Sequence, residues 1–94
     1  MPVMLKVEQR AQADFLVCVV EKRSEADLFV CEVENRAMAR NPAYWFYTDN
    51  RPDARHSVLI TASRADADLN VCMVESRGEA GWRVADHPLM DVLG

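Results

Sequence analysis

The chain has 94 residues, half of them hydrophobic and 28% charged, with a net charge of −4. This is enough for one domain with a core and too apolar for a disordered chain, while the acidic balance excludes the basic footprint that nucleic acid or an anionic membrane would need. No apolar run approaches the roughly 20 residues of a membrane span, and no basic segment followed by an apolar stretch opens the chain, so a cytoplasmic, monomeric protein is expected.

Six arginines, Arg10, Arg23, Arg36, Arg51, Arg64 and Arg77, recur along the chain, each followed three residues later by an alanine: Ala13, Ala26, Ala39, Ala54, Ala67 and Ala80. The copies are 13 residues apart, except for a 15-residue step between the third and fourth. The first half of each copy is rich in β-branched residues and predicts a short strand.

Taken in chain order, the pairs Leu5/Val7, Cys18/Val20, Cys31/Val33, Phe46/Thr48, Leu59/Thr61 and Cys72/Val74 each share one strand face. None carries a charge, so this face is expected to form the common core. The opposite face carries Met4/Lys6, Val17/Val19, Val30/Glu32, Trp45/Tyr47, Val58/Ile60 and Val71/Met73. Strands apolar on both faces are buried on both, which predicts most burial for the second, fifth and sixth strands and more exposure for the first and third.

The second half of each copy is a turn start. Asn50, Ser63 and Ser76 each stand three residues before an acid, resembling a capping box, and Asn35 offers a further cap. Pro52 fits the first turn, where its missing N–H does no harm. Only one or two turns fit, so α-turns or short 3-10 pieces are expected. The arginine then falls at the first helical position, where a cation meets the wrong end of the helix dipole. A specific partner is the economical reason for its recurrence. The acids Glu8, Glu21, Glu34, Asp49 and Glu75 stand two residues before it, and Asp14, Asp27 and Asp68 four after. A guanidinium can fork onto such carboxylates or onto terminal carbonyls. The arginine is therefore read as a structural pin on its own turn, the alternative being convergence of several arginines on an anion.

With about eight residues per connector, successive strands cannot take the dozen-residue crossover of parallel neighbours in one sheet. The chain is expected to pass between sheets or around a central axis. The fold class is β-rich, six short strands linked by one-turn corners around one core. The two extra residues fall in Asn41–Pro42–Ala43, just before the aromatic run Tyr44–Trp45–Phe46–Tyr47, read as a bulky patch closing the core or a stacking surface for a ligand. The repeat domain covers residues 1–83. The tail, 84–94, carries Leu89, Met90, Val92 and Leu93 beyond Pro88 and is either docked or disordered.

The pattern Ala-Asp-Leu, a short apolar strand, then Val-Glu-x-Arg-x-x-Ala resembles a small bacterial family of uncharacterised repeat proteins. The matching stretches are Glu25–Leu28, Ala67–Val71 and the closing Glu79–Ala80–Gly81–Trp82. The resemblance implies a deeply knotted chain, a torus knot with seven crossings built from short strands. It implies no activity, cofactor or catalytic residue.

Little chemistry is offered by the residues themselves. Cys18, Cys31 and Cys72 stand where other copies have Leu5, Phe46 and Leu59, so they read as buried small hydrophobes rather than ligands or nucleophiles. His56 replaces Phe15, Leu28 or Leu69 of other copies and reads as a partly buried packing residue. No phosphate-cradling glycine loop is present. No cofactor is implied, no catalytic or metal site is assigned, and a non-catalytic compact domain is expected, with an anion-binding protein using the repeat arginines as the alternative.

Overall fold

The computed structural model describes residues 2–93. Six strands follow the repeat: β1 Val3–Lys6, β2 Phe15–Val19, β3 Leu28–Glu32, β4 Tyr44–Tyr47, β5 His56–Ile60 and β6 Leu69–Met73. They close into a barrel in which every pair is parallel and the order around the ring is β4-β1-β5-β2-β6-β3, with β3 returning to β4. A two-residue strand, β7 (Gly81–Trp82), adds antiparallel to the start of β3, and a four-residue helix, α1 (Met90–Leu93), ends the described chain.

The register explains how eight-residue connectors can join parallel strands. Each neighbour slips by two residues relative to the repeat frame, always in the same sense. As a result Lys6 at the end of β1 and Phe15 at the start of β2 both pair with Val58 of β5, the strand lying between them. Val19 and Leu28 likewise both pair with Val71, Tyr47 and His56 with Met4, and Ile60 and Leu69 with Val17. Each new strand therefore starts level with the end of the last. The connector arches sideways over one strand, about 10 Å at normal strand spacing, with no return along the barrel to make.

Three strands spaced in this way complete one circuit, and a third equal step would land on β1. The chain instead places β4 directly beside β3, pairing Glu32 with Trp45. β4 starts with Tyr44 opposite Cys31, one residue back from the end of β3, and the two extra residues fall in this connector between adjacent strands. The second circuit then threads β4, β5 and β6 between the strands of the first. The expectation that successive strands avoid adjacency holds except at this step.

An even slip keeps each residue on its own face. The face that turns inward is the opposite of the one expected. Met4, Val17, Val30, Trp45, Val58 and Val71, one per repeat, are all fully buried and form the middle layer of the barrel core. Below them, toward the strand starts, lie Phe15, Leu28, Ala43 and Leu69. The charges of Lys6 and Glu32 pointed away from this face, but they stand at the strand ends, where the inward row emerges into solvent. Burying each Val or Leu side chain contributes about 1.5–3 kcal/mol, so the layer accounts for much of the stability.

The uncharged face is the outside of the barrel, and on β1, β2, β3 and β6 it is buried too because connectors lie over it. Ala26 packs with Cys18, Val20 and Cys72, placing the β2–β3 connector over β6, the strand it skips. The predicted ranking of strand burial fails accordingly: β1 and β3 are buried as deeply as β2 and β6, while β4 and β5 are the most open. No connector arches over β4, which leaves Tyr44 and Phe46 half-buried.

Candidate functional site

Five of the six connectors form a one-turn 3-10 helix that begins at the repeat arginine and closes with the alanine N–H bonded to the arginine carbonyl, as at Ala26 to Arg23 (3.2 Å). At Arg64 the connector makes only a turn. Asn35, Ser63 and Ser76 accept from the N–H groups of Met38, Asp66 and Gly78, as capping side chains should. Asn50 does not; its amide donates to Asp53 Oδ2 at 3.0 Å. Ala26 and Ala39 are fully buried, and Ala13, Ala54, Ala67 and Ala80 are half-buried, so the alanine marks where a connector presses onto the barrel and a larger side chain would lift it.

The arginines do not face carboxylates of their own turn. Four of the six reach the acid two residues after the arginine of the next connector around the ring: Arg64 to Glu25 (3.1 Å), Arg23 to Glu79 (3.0 Å), Arg36 to Asp53 (3.4 Å) and, more loosely, Arg10 to Asp66 (4.0 Å). The head-to-tail series is interrupted where that acid is replaced by Gln12 and Met38, opposite Arg51 and Arg77. The result is an outward belt of exposed side chains rather than a ring around a cavity. Exposed pairs of this kind contribute about 0–1 kcal/mol each, so the belt orients connectors more than it stabilises them.

The acids four residues after the arginine do something else. Asp14, Asp27 and Asp68 accept through Oδ2 from the backbone N–H of Ser57, Asn70 and Leu16, at 2.9, 3.1 and 2.9 Å, while their own N–H groups donate back to the carbonyls of the same three residues. Each carboxylate thus completes the ladder at a neighbouring strand start. Hydrogen bonds to charged groups are worth about 1.5–3 kcal/mol, so these aspartates rather than the arginines are the stronger clamps. Arg40 and Arg55 occupy the corresponding positions in the third and fourth copies.

The three cysteines are free and buried on the outer strand face. His56 lies half-buried beside Phe15, ring centroids 5.9 Å apart, and burial lowers its pKa, with Asp14 opposing that shift and Arg55 adding to it. Trp45 fills the barrel interior and donates its indole N–H to the Pro42 carbonyl at 2.8 Å, so this aromatic is core. No group of three or more His, Cys, Asp or Glu among the described residues could hold a metal ion, and no described helix is long and apolar enough to cross a membrane.

The two barrel ends differ. The end at the strand starts is covered by the tail: Leu93 is buried in the core cluster, Leu89 and Trp82 pack against it, and His87 stacks on Trp82 at 5.3 Å with Nε2 3.6 Å from Asp27. Arg83 bonds back to Asp27 and Ala26. At the other end the inward row continues as Glu32, Tyr47, Lys6, Ile60, Val19 and Met73 in ring order. Lys6 Nζ lies 4.3 Å from the Tyr47 ring centroid, and burial, aided by Glu32, pushes the Tyr47 phenol up to about 12. The remaining sector, Ile60, Val19 and Met73, is exposed by 38–46% and lies on three adjacent strands. Of this mouth only Tyr47 was singled out from sequence, as part of the aromatic run read as a core patch or a stacking surface; for the rest the available signal was the mixture of charge and aliphatics on one strand face.

A closed parallel barrel wound twice, with the second circuit laid between strands of the first, defines a class of circularly wound repeat domains. The family described as a 7(1) septoil knot domain matches residues 1–83, and the chain belongs to it. No curated protein and no solved structure matches the chain significantly.

Proposed function

We propose that this protein is a non-catalytic interaction module, a rigid, unfolding-resistant frame that displays a surface. The observation that carries this reading is that its chemically capable side chains stand at packing positions of the repeat. Cys18, Cys31 and Cys72 occupy the place of Leu5, Phe46 and Leu59 beneath the connectors, and His56 occupies the place of Phe15, Leu28 and Leu69. Buried reduced thiols also suit a cytoplasmic protein, and the family resemblance suits a bacterial one. We take the working form to be the monomer.

Thiol labelling of the native protein, run alongside turnover assays with generic ester and phosphate substrates, tests the reading. Slow labelling limited by opening of the fold, with no turnover above that of a Cys-free variant, is expected. Rapid labelling of one cysteine, or turnover that disappears with its replacement by Ser, would show that the reading is wrong. The alternative, anion binding by the repeat arginines, calls for a thermal shift with phosphates or dicarboxylates. A native-state ligand at 100 times its dissociation constant adds about 2.7 kcal/mol. Four of these guanidiniums being engaged in the belt favours the first reading.

A further inference from the structure

We infer that the open barrel mouth docks a cationic peptide segment carrying an apolar anchor residue; this deepens the reading of the chain as an interaction module and rests on it. The anchor would sit on Ile60, Val19 and Met73, which the closed sheet places on adjacent strands and nothing in the described chain covers. Equivalent residues one layer down are fully buried, and the three half-exposed side chains on adjacent strands form one contiguous apolar patch, which a partner covering it would remove from water.

Charge selects the partner. The six barrel strands are all parallel, so the acids two residues before five of the six repeat arginines, Glu8, Glu21, Glu34, Asp49 and Glu75, all follow strand ends at this same rim, and Glu32 lies within the mouth. All are exposed, and none is in an ion pair among the described residues. A groove on the outer side of the rim, beside the apolar sector, is lined by Glu32, Glu34 and Glu75 against one cation, Arg77, with Cys31, Val33 and Met38 as its apolar wall. Of the chain's two lysines, Lys6 is committed to the Tyr47 ring and Lys22 follows Glu21. With Arg10, Arg23, Arg36 and Arg64 paired in the belt, the cations left at this end are Lys6, Lys22, Arg51 and Arg77 against Glu8, Glu21, Glu32, Glu34, Asp49 and Glu75, so the rim is net acidic around an apolar centre. Two such mouths repel each other, as do the mouth and an anionic bilayer. A basic side chain laid into the groove, with apolar ones running from Met73 across Val19 to Ile60, satisfies both halves.

The test uses the whole ¹⁵N-labelled chain and two synthetic hexapeptides, one alternating lysine with leucine and one alternating glutamate with leucine. The lysine peptide should shift the amides of Val19, Ile60, Met73 and Glu32. The glutamate peptide should leave them in place, and raising the salt from about 0.05 to 0.5 M should weaken binding by shortening the screening length. Ile60→Ser should weaken it about tenfold, and the double variant Glu34→Gln/Glu75→Gln should remove much of the salt dependence. All three positions lie outside the packed core, so an unchanged spectrum elsewhere confirms the fold of each variant. Equal shifts with both peptides, shifts confined to the tail or belt, or no shift at all overturn the inference. So does concentration-dependent broadening of these amides without peptide, which would put a second copy in the mouth, or selective broadening by phosphatidylglycerol vesicles, which would put lipid there. A chain without turnover that ignores the lysine peptide would lose this inference and keep the non-catalytic reading; turnover would remove that reading first.

Discussion

The two ends of the barrel are made from the same six strands and have opposite fates. At the strand starts, a non-repeated tail brings Leu93 into the core and stacks His87 on Trp82, so that the inward row ends against protein. At the strand ends the row runs into solvent and changes from Val and Met to Lys6, Glu32 and three exposed aliphatics. A circular repeat cannot cover its own ends, because each copy packs only against its neighbours around the ring. Closing an end takes residues outside the repeat, and the described residues supply them at one end only.

The comparison can be broken most severely from the middle, where both ends share one layer. Trp45→Ala opens a cavity among fully buried neighbours and should cost about 3–5 kcal/mol in equilibrium urea denaturation. A loss below about 1 kcal/mol would mean that the layer is not the common support. At the closed end, Leu93→Ala should cost about 2–4 kcal/mol, with hydrogen exchange accelerated around Leu28, Leu69 and Trp82 and unchanged at Val19 and Ile60. Equal acceleration at both ends would remove the distinction drawn between them.

Next comes the aspartate clamp: Asp68→Ala leaves the Leu16 N–H without its acceptor and should cost about 1–3 kcal/mol, whereas Arg23→Ala in the belt should cost less than about 1 kcal/mol. The reverse order would restore the arginine as the principal pin. His56 gives a smaller, pH-dependent difference. The unfolded chain protonates this histidine near 6.5, and the folded chain only at lower pH. Stability should therefore fall as pH drops from about 6.5 toward the lowered folded value, then level off. His56→Leu, which adopts the residue of two other copies, should flatten that dependence in thermal melts at pH 4.5–7. At the open end, Ile60→Ser should change stability by no more than about 0.5 kcal/mol, the smallest effect of the series.

Much of the fold was legible in the sequence because the repeat counts positions. Six copies of Arg-x-x-Ala located six turns, and the β-branched run before each located six strands. The alignment of Cys with Leu and Phe marked the thiols as packing residues, and that of His56 with Phe15 and Leu28 did the same for the histidine. The mouth was not legible. Lys6 and Glu32 looked like evidence against an inward face, when they mark the height at which that face leaves the barrel. Nor could the arginine partners be found, since Arg23 and Glu79 are 56 residues apart and meet only because the second circuit interleaves with the first.

What the sequence determined by itself is the unit: strand length, turn register, in three copies a capping side chain before the arginine, and an alanine where the connector must come close. These are local properties, set by side-chain alternation and backbone hydrogen bonding within some 13 residues. Tertiary structure decided which face turned inward, which acid met which arginine and which barrel end stayed open. Both strand faces are apolar enough to be buried, so alternation could not choose between them. The two-residue slip between neighbours sets connectors over the strands they skip, which buries much of the outer face of β1, β2, β3 and β6 as well, while Phe46, Thr48, Leu59 and Thr61 on β4 and β5 stay half-buried.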